Sequence, residues 1–498
     1  MNGRRTIIGG ALLLMALGLP GCGVEETAYP TNTAPETVVA IQGDSLRSTH
    51  YHTILAWWGT DVDGRVTGYA YRWSEPWVPA EDDSLWWEDS TWTFTTATRD
   101  TFNVPTAGDS AERRFEVRAI DDALLADPTP ATQVFPFHNF VPSVTWTDTL
   151  RHPTIEQPSL PAISFAWTPV DYDGPETLSH ARMWLDWQEG EDAALCEVTV
   201  VGDTVGAFFP ENFQGRYGER TVWLQIFDQA GTGSNVLEWT WGVVPPSGEY
   251  LVIDNAWGNY SQASQQDQFW SERMETLLPG NYHVYDVDVE GVFRSEQEVL
   301  PIFRLFKGVL WYGIKWHGHS ENVDRAMRLG LELAEGSLEA YAADGGNVLI
   351  TGHNLVGTEG GLSRDFWLDT FGIEEVYYEA TGEEPTSNFQ IGREYFRFGP
   401  LFGGADSLKL RLPSYNNDVF RPSPSLEPLL WLDPAVLDTT DIPEHAVLPA
   451  YAGAIAEIGS GRIGLCTTML TDFISGESDV EPDEAVDSLL VNFFHLTE

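Results

Sequence analysis

Positive charge is scarce in this sequence. Its 498 residues carry 27 Lys and Arg against 75 Asp and Glu, a net charge of −48 at pH 7. Only three lysines occur, Lys307, Lys315 and Lys409. A phosphate backbone needs a basic stripe, so the deficit argues against a nucleic-acid partner. Cysteine is as scarce, with 3 in the chain, which excludes a disulfide scaffold and a multi-cysteine metal cluster. No His-Glu-x-x-His run is present, so the zinc-protease helix is absent. Apolar residues make up 42% and aromatics 12%, enough to build real cores rather than a disordered chain. At about 150 residues per domain, roughly three domains are expected.

The N-terminus opens with Arg4 and Arg5, continues through an apolar run from Ile7 to Leu19, and ends in Leu19-Pro20-Gly21-Cys22. A basic start before a short apolar stretch is a secretory signal, too short to span a bilayer comfortably. The Leu-Pro-Gly-Cys run resembles the lipobox of bacterial lipoproteins. That resemblance implies cleavage of residues 1–21, diacylation of the Cys22 thiol and acylation (palmitate among the chains) of the new amino terminus. Two or three acyl chains make a stable anchor where one does not. Gly23 follows the cysteine, and by the same resemblance a residue other than Asp there points to the outer membrane. Residues 22–36 are polar and Pro-rich and read as a flexible tether.

An internal repeat occupies the next 210 residues. Ala56-Trp57-x-x-x-Asp61-x-Asp63-Gly64 recurs as Ala166-Trp167-x-x-x-Asp171-x-Asp173-Gly174. Phe115–Asp121 recurs in the same way as Val222–Asp228. Short alternating runs bounded by turn residues predict two antiparallel β-sandwiches, over 37–138 and 139–245. The buried-type Trp, the Asp-x-Asp-Gly and the strand after it resemble fibronectin type III and related immunoglobulin-like modules of bacterial surface proteins. Asp-x-Asp-Gly also looks like part of a calcium loop, but a full loop needs further oxygen ligands. A tight turn, with Asp accepting backbone N–H groups, explains the same residues. Fourteen of the 20 tryptophans fall between Trp57 and Trp241. Trp73, Trp77, Trp86 and Trp87 are interleaved with carboxylates, as in a glycan-binding platform; the competing reading places such rings in the sandwich core or its lid.

After Pro245-Pro246-Ser247-Gly248 the pattern changes to short continuous apolar strands alternating with helices. Such alternation predicts a doubly wound, flavodoxin-like α/β domain over 248–498, with a parallel sheet covered on both faces. The segment 375–445 reads as an irregular or β-rich insertion. Leu251–Asn255, Val309–Tyr312, Gly345–Gly352 and Gly459–Ile463 look like a class I glutamine amidotransferase-like domain of the kind that ends some bacterial surface lipoproteins. That enzyme class carries a nucleophilic Cys on the turn after a core strand. The corresponding turn here is Gly352-His353-Asn354, so no catalytic residue is assigned. Cys466 lies in an apolar strand and reads as a buried thiol; a bridge to Cys196 would have to cross domains.

Ligands of such sheets bind beyond the carboxyl ends of the strands. Asp254, His317, His319, His353 and Asp472 fall at those ends and form a candidate ligand cleft. With a divalent metal they would support hydrolysis, the alternative to a chain that needs no cofactor. The leading expectation is a non-enzymatic, lipid-anchored protein of the outer membrane or cell surface. Two β modules act as a stalk, the membrane is engaged only through the lipid, and the partner is a surface protein or glycan. A metal-dependent hydrolase and a glycan-binding first module are the alternatives. Replacing Cys22 by Ser is expected to release the chain from sedimented membranes. Retention in the pellet at high salt would contradict lipid-only attachment.

Overall fold

The computed structural model describes residues 32–40, 49–50, 52–74, 92–103, 110–149, 152–256, 261–291, 293–313, 321–353, 355–356, 362–377, 389–391, 396–403, 409–410, 414–417, 419–432, 450–468, 470, 473–474 and 481–496. Two compact units divide the chain, Met1–Asn139 and Phe140–Glu498.

The first unit is a β-sandwich. One sheet orders Glu36–Ala40, His52–Thr60 and Arg99–Asn103. The other orders Thr49–His50, Ala131–His138, Ser110–Asp121, Val66–Ser74 and Thr93–Thr95. Strand alternation decides what is buried, because successive side chains point to opposite faces. Leu55, Trp57, Tyr69, Phe115, Val117, Ala119, Phe135 and Phe137 therefore meet between the sheets. The Trp57 indole donates to the Ala97 carbonyl at 3.0 Å, so its polar edge is satisfied inside the core. On the other face of the second sheet, the Trp92 ring lies 4.4 Å from the Arg72 guanidinium and 3.7 Å from that of Arg118. Arg72 also pairs with Glu116 at 2.6 Å, and both are buried.

The second unit opens with a sandwich of the same plan. Ser143–Trp146, Ile163–Val170 and Val205–Phe208 form one sheet. Glu197–Val200, Leu178–Leu185, Gly218–Asp228 and Leu237–Val243 form the other. His52–Thr60 in the first unit and Ile163–Val170 in the second sit at the centre of a three-stranded sheet, and the long strand ending at Asp121 or Asp228 sits inside the other. Three strands facing four or five, with connections that cross between sheets, is the immunoglobulin and fibronectin III plan. Here a buried Arg220 pairs with Glu191 at 2.9 Å and with Asp186 at 3.0 Å.

The rest of the unit surrounds a sheet of ten strands among the described residues. Five strands run parallel, in the order Tyr282–Asp286, Tyr250–Asn255, Gly308–Gly313, Asn347–Gly352 and Gly461–Cys466. Leu251, Ile253, Val309, Trp311, Val348 and Ile350 bury against Val299, Ile302 and Phe303 of the Glu296–Phe303 helix and Leu338 and Ala342 of the Glu321–Ala343 helix. Val252, Leu310, Tyr312 and Leu349 bury on the opposite face, against Trp270 and Met274 of the Ser261–Leu277 helix and Leu489 and Phe493 of the Pro482–Phe494 helix. Burial on both faces is why these strands read as continuous apolar runs.

The sheet is not parallel throughout, which corrects the expectation from the alternation. Tyr451–Ile458 returns antiparallel against Gly461–Cys466. Val419–Pro422, Ile373–Tyr377, Glu427–Leu432 and Phe396–Phe398 then continue it antiparallel. The segment read as an insertion thus supplies strands of the main sheet. Two glycine motifs are explained by close approach: a Cβ on Gly461 would meet the carbonyl oxygens of Gly346 and Ala342. Arg462 donates from Nε to the Phe493 carbonyl at 3.0 Å and from Nη2 to the Asn492 carbonyl at 2.7 Å, capping the last helix.

The second sandwich and the α/β layer share a core. Leu160 and Ala162, from the sandwich, belong to the same buried cluster as the sheet and its helices. Glu298 on the Glu296–Phe303 helix is fully buried. Its Oε2 accepts from the Ser164 backbone N–H at 2.8 Å and from the Ser164 hydroxyl at 3.0 Å. Its Oε1 accepts from the Arg294 backbone N–H and lies 3.6 Å from the Arg294 guanidinium. Removing one partner of a buried, hydrogen-bonded charge strands the others. Glu298→Ala is expected to cost roughly 2–5 kcal/mol in urea unfolding; a loss below about 1 kcal/mol would show the contact to be dispensable.

Candidate functional site

The parallel strands position the groups at the sheet's carboxyl edge. The strand after Tyr250–Asn255 lies on one side of it and the next on the other, so the chain reverses its winding at Asp254 and Asn255. Such a switch point opens a crevice above the strand ends. Asp254 stands opposite Asp286 on one neighbour and Tyr312 on the other. Its Oδ1 accepts the Ala256 N–H at 3.0 Å, and the Tyr312 hydroxyl donates to the same carboxylate. Burial, with Asp267 and Asp286 adding like charge, pushes the Asp254 carboxyl up from 3.8 to about 7. Burial and Asp254 likewise raise the Tyr312 phenol. Nearby, burial pushes Glu290 from 4.5 up to about 8. A carboxyl that titrates near neutrality can hold or release a proton under working conditions.

His353 follows the Asn347–Gly352 strand and is nearly buried. The Gly308–Gly313 strand separates that strand from Asp254's. His317, His319 and Asp472 lie outside the described residues. Among the described residues no three His, Cys, Asp or Glu side chains are grouped to hold a metal ion. The acids whose charge reaches Asp254 are Asp267 and Asp286. Sequence reasoning left Asp267 out because it sits inside a polar helix, where a carboxylate reads as solvent-facing.

The turn after the Asn347–Gly352 strand holds an imidazole and not a thiol. Cys466, on the neighbouring strand opposite Thr351, is fully buried. Its Sγ donates to the Thr468 carbonyl at 3.2 Å. Burial pushes that thiol up from 9.0 to about 12, so it stays protonated and is a poor nucleophile. Cys196 is also free and buried, with its thiol raised first by burial and then by Glu191.

The Asp-x-Asp-Gly turns use their carboxylates alike in both copies. Asp61 Oδ1 accepts the Asp63 N–H at 3.2 Å, and Asp171 Oδ1 accepts the Asp173 N–H at 2.9 Å. Asp63 accepts the Thr33 N–H at 3.0 Å, and Asp173 the Phe140 N–H at 2.7 Å. The second Asp thus ties down the chain entering its own module. At the far end of the repeat, Asp121 accepts from Ala123 at 2.9 Å and Asp228 from Thr232 at 2.7 Å. Of the candidate platform, Trp73 is placed in the sandwich core, with its ring 4.8 Å from Phe115 and 5.6 Å from Phe137. Trp77, Trp86 and Trp87, like Cys22, lie outside the described residues.

Two clefts are lined by described residues of the second unit. One, of about 370 Å³, opens at the edge of the second sandwich between Trp167, Pro169, His180 and Val200. The other, of about 640 Å³, lies between the Pro210–Phe213 turn of that sandwich and the Glu296–Phe303 and Glu321–Ala343 helices. Its lining includes Gly336, inside the Glu321–Ala343 helix, where Gly costs about 1 kcal/mol relative to Ala.

No family model matches the chain, and no curated protein matches it. Solved structures share local likeness at low overall superposition. Fibronectin(III)-like modules of Clostridium thermocellum CbhA align at 9% identity over 42% of this chain and 95% of theirs, with a TM-score of 0.18. The chicken CNTN1 FN1-FN3 domains align at 13% identity over 43% of this chain and 67% of theirs, with a TM-score of 0.19. A tetra-tandem repeat in the extending region of a large adhesion protein aligns at 12% identity over 42% of this chain and 49% of that one, with a TM-score of 0.18. No helix among the described residues is long and apolar enough to cross a membrane.

The raised carboxyls have a signed consequence. Asp254 stays protonated to about 7 in the folded chain and ionises near 3.8 when unfolded. Between these values the unfolded chain binds fewer protons, so stability falls as pH rises. Asp254→Asn is expected to flatten the decline in Tm between pH 4 and 7 and to leave the share due to Glu290. An unchanged slope would contradict the shift.

Proposed function

We propose that the chain is a non-enzymatic surface protein, anchored in the bacterial outer membrane through acylated Cys22. Its sandwiches serve as a stalk that presents a flavodoxin-like, amidotransferase-type α/β domain to a surface protein or glycan. In this reading the domain has kept its scaffold and lost its attacking sulfur. The observation that carries it is the pairing of His353 at the turn after the fourth strand of the chain's parallel series with a fully buried, protonated Cys466 thiol. An acyl transfer needs a thiolate at that turn. The shared core that joins the second sandwich to the α/β layer supports presentation, because a domain held by a buried, hydrogen-bonded carboxylate keeps a fixed pose on its support.

The delipidated full chain, incubated with glutamine, is expected to release no ammonia above a heat-denatured control. Ammonia release that disappears in Cys466→Ser would overturn the reading. A second reading, a divalent-metal-dependent hydrolase, draws its ligands from the strand-edge residues His317, His319, His353 and Asp254, of which Asp254 lies at the switch point of the sheet. It requires metal to copurify stoichiometrically and to be lost in Asp254→Asn; a metal-free protein by elemental analysis ends it.

A further inference from the structure

We propose that the cleft between the Pro210–Phe213 turn and the two helices Glu296–Phe303 and Glu321–Ala343 binds a small organic cation built on an apolar ring or chain. Its volume of about 640 Å³ falls in the range that holds such molecules. The walls are apolar, from Phe209, Pro210, Leu300 and Leu333. Gly336 lines the cleft at an exposed position of the helix, and a Cβ built there would meet nothing within 4 Å. Packing inside the protein therefore does not require glycine at this point, although helix propensity opposes it. The bare backbone instead leaves room for a guest to lie against the helix.

Charge selects the guest. Glu211 and Glu296 are exposed at the rim. Arg304 is the one cation among the lining residues, and it is paired with Asp344 at 2.6 Å. The cleft thus presents two exposed carboxylates beside apolar walls, and its one lining cation, Arg304, is already paired. An ammonium or guanidinium at the rim with its apolar body below matches both. The site is distinct from the carboxyl-edge crevice and does not depend on the function proposed above.

Phenethylamine is a suitable probe, with 2-phenylethanol as its neutral isostere, measured by ligand-observed NMR on the full chain. The ammonium form is expected to bind more tightly than the alcohol. The double substitution Glu211→Gln and Glu296→Gln is expected to weaken the amine about fivefold and leave the alcohol unchanged. Gly336→Leu, which fills the open space over that exposed helix position, is expected to abolish both. Gly336→Ala serves as the folding control: it is expected to raise Tm while weakening binding. Equal affinity for amine and alcohol, undiminished binding in folded Gly336→Leu, or no binding at about 10 mM, weaker than the millimolar range in which fragments are detected, would each overturn the proposal.

Discussion

A carboxylate taken out of water is costly unless every lone pair finds a donor. Glu298 meets that condition with donors from two structural layers, the Ser164 backbone and hydroxyl on the sandwich side and Arg294 on its own segment. The requirement is strict in both directions. Without Glu298 the Ser164 N–H would be buried beside an apolar helix, and without Ser164 the charge would be. Leu160 and Ala162 add apolar area to the same seam. The second sandwich is thereby a structural part of the α/β layer, and the cleft walled by Phe209, Leu300 and Leu333 exists because this seam is fixed.

The surplus of acid is put to use by the same logic elsewhere. With so few lysines, arginine does the buried pairing: Arg72 with Glu116, Arg220 with Glu191 and Asp186. Its planar fork presents several donors in a fixed geometry that can engage two acceptors side by side, where a lysine ammonium is a point charge on a flexible stem. Many remaining carboxylates are spent on backbone N–H groups. In both repeats Asp-x-Asp-Gly closes its own turn and holds the incoming chain. The repeated motif is thus accounted for as backbone capping by the atoms the structure describes.

Much of this was legible in the sequence where one periodicity ruled. Strands such as Leu237–Val243 and Val66–Ser74 announced themselves by alternation. The same alternation puts Trp73 on the face of Tyr69 and Tyr71, hence in the core. The apolar runs at Leu251–Ile253 and Val309–Tyr312 signalled strands buried on both faces. The outer antiparallel strands of the large sheet were not legible as part of it, since strands as short as Phe396–Phe398 carry too few residues to show a period. Glu298 was equally hidden: on a helix with Glu296 two residues before it, it reads as another solvated acid, and only Ser164, 134 positions away, makes it structural. The candidate site divides in the same way. Asp254 follows from its place at a strand end, whereas Asp267 depends on how a helix folds back over the sheet.

The central claim is that the second sandwich and the α/β layer form one cooperative body through the Glu298 seam. Amide hydrogen exchange at Ser164 tests it most directly, because that N–H is the donor in question. The account predicts protection equal to that of the Gly308–Gly313 strand amides, lost at the same denaturant concentration. Exchange of Ser164 at the rate of a surface loop, with the central strand still protected, would contradict it.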